Sequence, residues 1–343
     1  MDAFLNFPVA RRREFCQAAG DKIGLDAVSV EKDFWVCLTL RELFSLEQSG
    51  PHLTFKGGTS LSKGWKLIER FSEDIDVVVE RDFLGFGGDK NPQQQGISTN
   101  ERNRRLEDLK SACQTHVQTK LKSELERAFQ IRIPKELNWR LEVDADDIDG
   151  QTILFEYPSA FQAGNYLRPS VKVEMGARSD TEPSENPKIQ PYLTEAFPNE
   201  LETPSEFVIR TVAPERTFWE KAMLLHEETF RVGGEGPKNR LARHYYDLWC
   251  LIQKGIAEKA AADIGLFERV AAHRAVFFRR KKEAQESLRP GLLRILPLEG
   301  HLDAWRKDYE AMRDAMFFGN VPDFERVLEI VGQFERKFND NGF

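Results

Sequence analysis

Residues 53–80 read LTFKGGTSLSKGWKLIERFSEDIDVVVE, and how this stretch divides into strands, turn and helix decides the fold. LTFK (53–56) follows the Gly50-Pro51 turn and is expected as a short strand. GGTS (57–60) is expected as a tight turn, LSKGWKLIER (61–70) as a helix and DIDVVVE (74–80) as a second strand. In that second strand Ile75, Val77 and Val79 alternate with Asp74, Asp76 and Val78. A strand sends successive side chains to opposite faces, so both aspartates share one surface.

Two carboxylates about 4 Å apart repel by roughly 4 kcal/mol at an effective dielectric near 20, which invites a cation. Magnesium suits them, since it commonly pairs one or two carboxylates with substrate phosphates. A DxD alone is weak, because acids on the open face of a strand are ordinary. The preceding turn adds to it. Gly57 and Gly58 let backbone approach a ligand closely, and Thr59 and Ser60 sit where the turn runs into a helix, whose amides favour a phosphate. Lys63, one turn further, reads equally as a phosphate ligand or as a surface lysine.

Beyond this stretch, SVEKDFWVCLTLRELFSL (29–46) reads as a buried helix with Ser29 at its N-cap. Residues 84–103 are rich in Gly, Gln and Asn and read as a mobile loop or insertion, followed by a charged helix from Arg104 to about Phe129. NWRLEVDA, TILFEY and SVKVEMG alternate as strands that extend the sheet. In the last, Val171, Val173 and Met175 face inward while Lys172 and Glu174 face out. Glu174 is thus a candidate third carboxylate, with Glu142 and Asp144 competing on the same alternation. The passage from Glu182 to Pro204 is a connection, and the remainder is mainly helical.

Two polar residues interrupt apolar helical faces in that remainder. Lys221 lies on the face shared by Phe218, Ala222 and Leu225, although a lysine stem can also snorkel to solvent. Asp247 stands among aromatic and aliphatic neighbours in HYYDLWCLI, where a buried carboxylate needs a cation. Lys221, Arg243 and His244 are candidates for that partner.

The chain has 343 residues, 41% hydrophobic and 11% aromatic, enough for a sizeable core in one large domain or two. No apolar run approaches the roughly 18–20 residues of a membrane span, and a cytoplasmic location is expected. The four cysteines and six histidines show no zinc or disulfide spacing. A net charge of -7 argues against indiscriminate nucleic-acid coating. Local basic patches at Arg11–Arg13, at Arg102, Arg104 and Arg105, and at Arg279–Lys282 read most simply as solvated helix faces.

Taken in order, VEKDFWV, FKGGTSLSKGW, RFSEDIDVVV, SVKVEMG, ERTFWEKAMLLH and RHYYDLW resemble the AbiEii family of nucleotidyltransferases. That family includes toxins of type IV toxin–antitoxin and phage-abortive systems and the related MenT toxins. The likeness runs from about Val30 to Trp249. GGTS followed by DID is shared across a superfamily, whereas ERTFWEK and RHYYDL are far narrower patterns.

The resemblance implies an α/β (α+β) fold of the DNA polymerase β type, a mixed sheet flanked by helices with a helical C-terminal region. It implies a nucleotidyltransferase core over 1–205 and a helical region over 206–343 that completes a cleft. By position, Gly58 and Ser60 would contact nucleotide phosphates, while Asp74 and Asp76, with Glu174 as a third carboxylate, would bind magnesium or manganese. Lys221 would hold the triphosphate, supported by Asp247. The implied reaction moves a nucleoside monophosphate from an NTP to an acceptor, for which the 3′ end of tRNA is the first expectation, and a winged-helix antitoxin is the expected partner. Transfer to a protein or small molecule, or a silent module that only engages a partner, are the competing readings.

Overall fold

In a computed structural model the chain is described over residues 1–161, 169–198, 200, 205–231, 239–278 and 281–340, the side chains at 314 and 315 excepted. It divides into two units, Met1–Gly64 with Ser72–Thr211 and Trp65–Phe71 with Val212–Phe343. Residues 65–71, inside the first region by sequence, thus belong with the helical unit.

The strands are β1 (Leu53–Lys56), β2 (Ile75–Val79), β3 (Arg140–Val143), β4 (Thr152–Glu156), β5 (Ser170–Gly176), β6 (Ser184–Glu185), β7 (Lys188–Ile189), β8 (Phe207–Val208) and β9 (Thr211–Val212). Seven form one sheet in the order β3-β4-β5-β2-β1-β9-β6, and β7 with β8 makes a separate two-stranded ladder. β1 runs antiparallel to β2, β2 parallel to β5, and β4 antiparallel to both β3 and β5. This is the expected mixed sheet flanked by helices.

One sheet face is apolar because Phe55, Ile75, Val77, Val171, Val173, Ile153 and Phe155 alternate inward and are buried. The Ala27–Phe44 helix supplies Trp35 to this core, its ring 5.9 Å from Phe155 and stacked at 5.4 Å on Tyr157. Its N-cap is Asp26, which accepts from the Ser29 amide at 2.9 Å, three residues before the expected Ser29 cap.

The same helix buries three consecutive charges, Glu31, Lys32 and Asp33. Glu31 accepts from Ser159 Oγ at 2.5 Å and the Ala160 amide at 2.6 Å. Lys32 pairs with Glu73. Asp33 meets Lys63 Nζ at 2.7 Å and accepts from the Tyr192 amide at 2.7 Å. Buried charges survive when paired and hydrogen-bonded, so these contacts pin the segments around the sheet to the helix.

Two expected elements differ. The helix over 61–70 is reduced to a distorted helical stretch, Gly57–Thr59 followed by a wide turn over Ser60–Gly64. The chain then crosses to the second unit through Lys66, at φ 53. Residues 84–103 are not wholly loop either. A helix spans Thr99–His116, started by Ser98 Oγ accepting from the Glu101 amide at 3.2 Å, and five residues earlier than expected. Arg102 donates to Pro92 O, and Arg105 to Asn91 O and Gln94 Oε1, which ties the loop to this helix.

The second unit is helical over Pro214–Glu228, Arg243–Gln253, Ile256–Ala262, Ile264–Phe277, Leu302–Met316 and Phe324–Asn339. In the last, Phe324, Val327, Ile330, Val331, Phe334 and Phe338 are buried at three- and four-residue spacings. Trp219 anchors the core, 4.8 Å from Phe267 and 5.0 Å from Phe338, with its indole N–H donated to Ala260 O. The 65–71 segment is stitched in by a bridge between Arg70 and Phe317 and by Phe318 N donating to Glu69 O at 3.1 Å. No helix among the described residues is long and apolar enough to cross a membrane.

Removing one partner of a buried ion pair strands the other charge. Asp33→Ala is expected to lower unfolding free energy by about 3–5 kcal/mol in urea titration. A loss below about 1 kcal/mol would show that Lys63 has an equally good alternative.

Candidate active site

β2 places Asp76 opposite Lys56 of β1 and in register with Glu174 of β5, which in turn pairs with Thr152 of β4. Lys56, Asp76, Glu174 and Thr152 therefore form one row across four strands on one face. Adjacent strands lie about 4.8 Å apart, so Glu174 is next to Asp76 whereas Glu142, on β3, is about 14 Å across the sheet. Glu142 is exposed and paired with Arg140 at 3.1 Å. Of the two competitors, strand order sets Glu142 away from Asp76, while Asp144 follows the end of β3 with its amide donated to Thr152 O at 2.9 Å.

Gly57 closes the row from above. Its φ is +81, and a Cβ there would lie 2.7 Å from the Asp76 carboxyl carbon, so only glycine leaves the carboxylate its place. Thr59 Oγ1 lies within hydrogen-bond distance of the Asp74 carbonyl and, at 2.9 Å, of Ser72 Oγ. The glycine turn and the aspartate strand are thus fastened to each other directly. A backbone cradle that abuts a carboxylate pair fits a hard divalent cation shared with phosphate oxygens.

Several expected ligands are committed elsewhere. Ser60 is buried, and its hydroxyl donates to Gly57 O at 2.9 Å. Thr59 is likewise buried and turned inward. Both shape the turn rather than present a hydroxyl. Lys63 is not a surface or phosphate-facing lysine: it is buried, on Asp33 and 3.5 Å above the Tyr192 ring centroid. Burial favours its neutral amine, but Asp33 outweighs this and holds its pKa above the ordinary lysine value.

Glu174, expected as a third metal carboxylate, lies beside Asp76 with a cation of its own. It is ion-paired with Lys172 at 2.7 Å, because alternation along β5 puts the two on one face. Burial lowers the Lys172 pKa, yet the hydrogen bond and charge of Glu174, with Asp74 and Asp144 beyond, raise it overall. Lys172 therefore belongs to the acidic row, a residue the alternation exposed but to which it gave no role. Among the described residues no group of three or more His, Cys, Asp and Glu is arranged as a metal site.

The second unit holds a separate charged cluster. Asp247, fully buried, accepts from Arg70 Nε at 2.7 Å and Nη2 at 2.9 Å, and meets Lys221 Nζ at 2.8 Å. Lys221 is one of the three partners expected for it; Arg70 was missed, its only signal being an arginine between the buried Ile68 and Phe71. Lys221 Nζ also lies 3.3 Å from His244 Nδ1. Burial opposes the Asp247 charge, but Arg70 and Lys221 outweigh it and drive its pKa far below the carboxylate range. Burial, then Lys221 and Arg243, push His244 well below the usual imidazole value, so its ring is neutral.

Residues 38–330 match the model of the nucleotidyl transferase AbiEii toxin of type IV toxin–antitoxin systems. The chain belongs to the AbiEii family. AbiEii membership makes it a nucleotidyltransferase, with an NTP as substrate and an antitoxin as the family's partner. Among solved structures it is similar to MenT4, a nucleotidyltransferase toxin from Mycobacterium tuberculosis H37Rv, at 15% identity and a TM-score of 0.39 over 98% of each chain. No curated protein matches it. Of the basic patches expected as solvated faces, Arg11, Arg13 and Arg104 are exposed, Arg104 and Arg105 pairing along their own helix with Glu101, whereas Arg12 is buried and donates to Pro158 O. Of the last patch, residues 279 and 280 lie outside the described residues, and Lys282 pairs with Glu286.

A misplacement near 1 Å in a catalytic centre costs about 10²-fold, so Gly57→Ala, which displaces the Asp76 carboxylate, is expected to cut turnover by about that factor in a folded protein. Wild-type turnover in that variant would remove Asp76 from the chemistry. His116, His226 and His244 all have pKa values lowered first by burial. The unfolded chain then binds more protons than the native one below pH about 6.5, so stability falls as pH drops below that value. The thermal midpoint should decline from pH 7 to pH 5; a flat profile would contradict these buried neutral rings.

Proposed function

We propose that this AbiEii protein transfers a nucleoside monophosphate from an NTP to the 3′ end of tRNA, as the toxin of a toxin–antitoxin or phage-defence pair. The observation that carries the reading is the Asp76 carboxylate seated against the Cβ-less Gly57, with Thr59 tying that turn to Asp74. Asp74 and Asp76 hold magnesium, which manganese can replace. When bound, the ion neutralises charge on the transferring phosphate and lowers the pKa of the attacking hydroxyl. The backbone at Gly57 and Gly58 approaches the nucleotide phosphates, where no side chain obstructs them.

Lys172 keeps Glu174 neutralised beside the aspartates, which limits repulsion in the acidic row. Lys221, kept in place by Asp247, meets the triphosphate and offsets the charge that builds on the leaving pyrophosphate, an electrostatic contribution typically of a few kcal/mol. A winged-helix antitoxin is the partner, and the cytoplasm, where NTPs and tRNA are, is the location. A second reading, transfer to a protein or small molecule, is favoured by the net charge of -7, since RNA affinity rests on cations that meet phosphates.

The test is to incubate the protein with magnesium, each α-labelled NTP in turn, and total cellular RNA plus protein. Label on tRNA-sized RNA that disappears with Asp76→Ala is the expected result. Label on protein selects the second acceptor class, and a fully active Asp76→Ala overturns the metal assignment. Lys221→Ala should raise the KM for NTP by roughly 10²-fold, the scale of a lost charged contact. Unchanged kinetics would take Lys221 out of the site.

A further inference from the structure

Arg70, Lys221 and Asp247 are all buried, at 2%, 7% and 0% exposure. Their charges do not cancel: two cations share one carboxylate. The Arg70 fork spans both oxygens of Asp247, and Lys221 shares Oδ2 with it. The remaining neighbour of Lys221 is His244, whose ring nitrogen accepts from the ammonium. Arg243 adds a further positive charge nearby. No second carboxylate contacts either cation among the described residues. Burial first, opposed by Asp247, holds the Lys221 pKa below the ordinary lysine value, the sign of a surplus charge that an anion would relieve.

We propose that Arg70 is a positioning residue that makes this cluster a polyphosphate site: by occupying Asp247, it prevents that carboxylate from neutralising Lys221. This rests on the reading above that Lys221 meets the triphosphate, and it gives the 65–71 segment a purpose in binding. Without Arg70, Asp247 and Lys221 form a one-to-one pair with no net charge. With Arg70, the trio carries one surplus positive charge, and His244, held neutral by burial and by Lys221, neither cancels nor repels it. A role for Arg70 as a simple structural brace makes the opposite prediction for double variants, because each further loss of a buried contact then adds to the damage.

The probe is inorganic triphosphate, titrated calorimetrically into the full-length protein, with thermal midpoints confirming that each variant is folded. Arg70→Met is expected to weaken binding by about tenfold or more. Adding Asp247→Asn to it restores a lone Lys221 charge, and affinity should return to within about threefold of wild type. Arg70→Lys keeps the charge and should stay within about threefold too. Arg70→Met at wild-type affinity, or a double variant weaker than the single one, overturns the proposal.

If Arg70→Met does not fold, Arg70→Gln, which keeps hydrogen-bond donors without the charge, takes its place: about a tenfold loss supports the charge account, and wild-type affinity refutes it. Lys221→Ala separates the two levels of argument. Wild-type affinity in that variant sinks the reading that Lys221 meets the triphosphate. Loss there with Arg70→Met unchanged sinks the role of Arg70 alone.

Discussion

The antiparallel pairing of β1 with β2 is the constraint on which the rest of the first unit depends. It sets Lys56 opposite Asp76, so the turn that leaves β1 must pass directly over that aspartate. Only a residue without a Cβ can do so, which is why Gly57 stands there with φ +81. The parallel pairing of β2 with β5 then brings Glu174 and Lys172 to the same face, completing an acidic row with its own internal cation. A one-residue shift of β2 would send Asp76 to the apolar face, and one of β5 would do the same to Glu174 and Lys172.

The row is supported from behind by charges that elsewhere would be on the surface. Lys32 pairs with Glu73, immediately before Asp74, and Asp33 pairs with Lys63, in the helical stretch after the glycine turn. One buried helix thus grips both segments that form the candidate site. Such pairs add little net stability over apolar packing, but their breakage is costly, and this favours one arrangement of the two segments over its alternatives.

Family membership supplies the reaction class and leaves the details to geometry. The second unit shows the same economy as the first, with a single carboxylate organising the polar residues around it. Asp247 is surrounded by Tyr245, Tyr246 and Leu248, all buried, and its two cationic contacts come from different stretches of chain, 65–71 and the Pro214–Glu228 helix.

Local pattern alone determined a good deal here. Strict alternation showed that Asp76 and, on the neighbouring strand, Lys172 and Glu174 point away from the core, and that TILFEY and SVKVEMG are strands, because side-chain direction in a strand depends only on parity. Helical spacing marked Lys221 as turned inward, and isolation among aromatics marked Asp247 as needing a cation. The family motifs were legible for the same reason, since they are short and contiguous. What tertiary structure decided was every choice between distant candidates. Strand order put Glu174 rather than Glu142 next to Asp76, and long-range pairing took Lys63 to Asp33 instead of to solvent. Segment 65–71 left its expected helix because its backbone bonds to residues 316–318, some 250 positions on, and with it Arg70 reached Asp247. Such contacts depend on which segments meet in space, and no periodicity along the chain encodes that meeting.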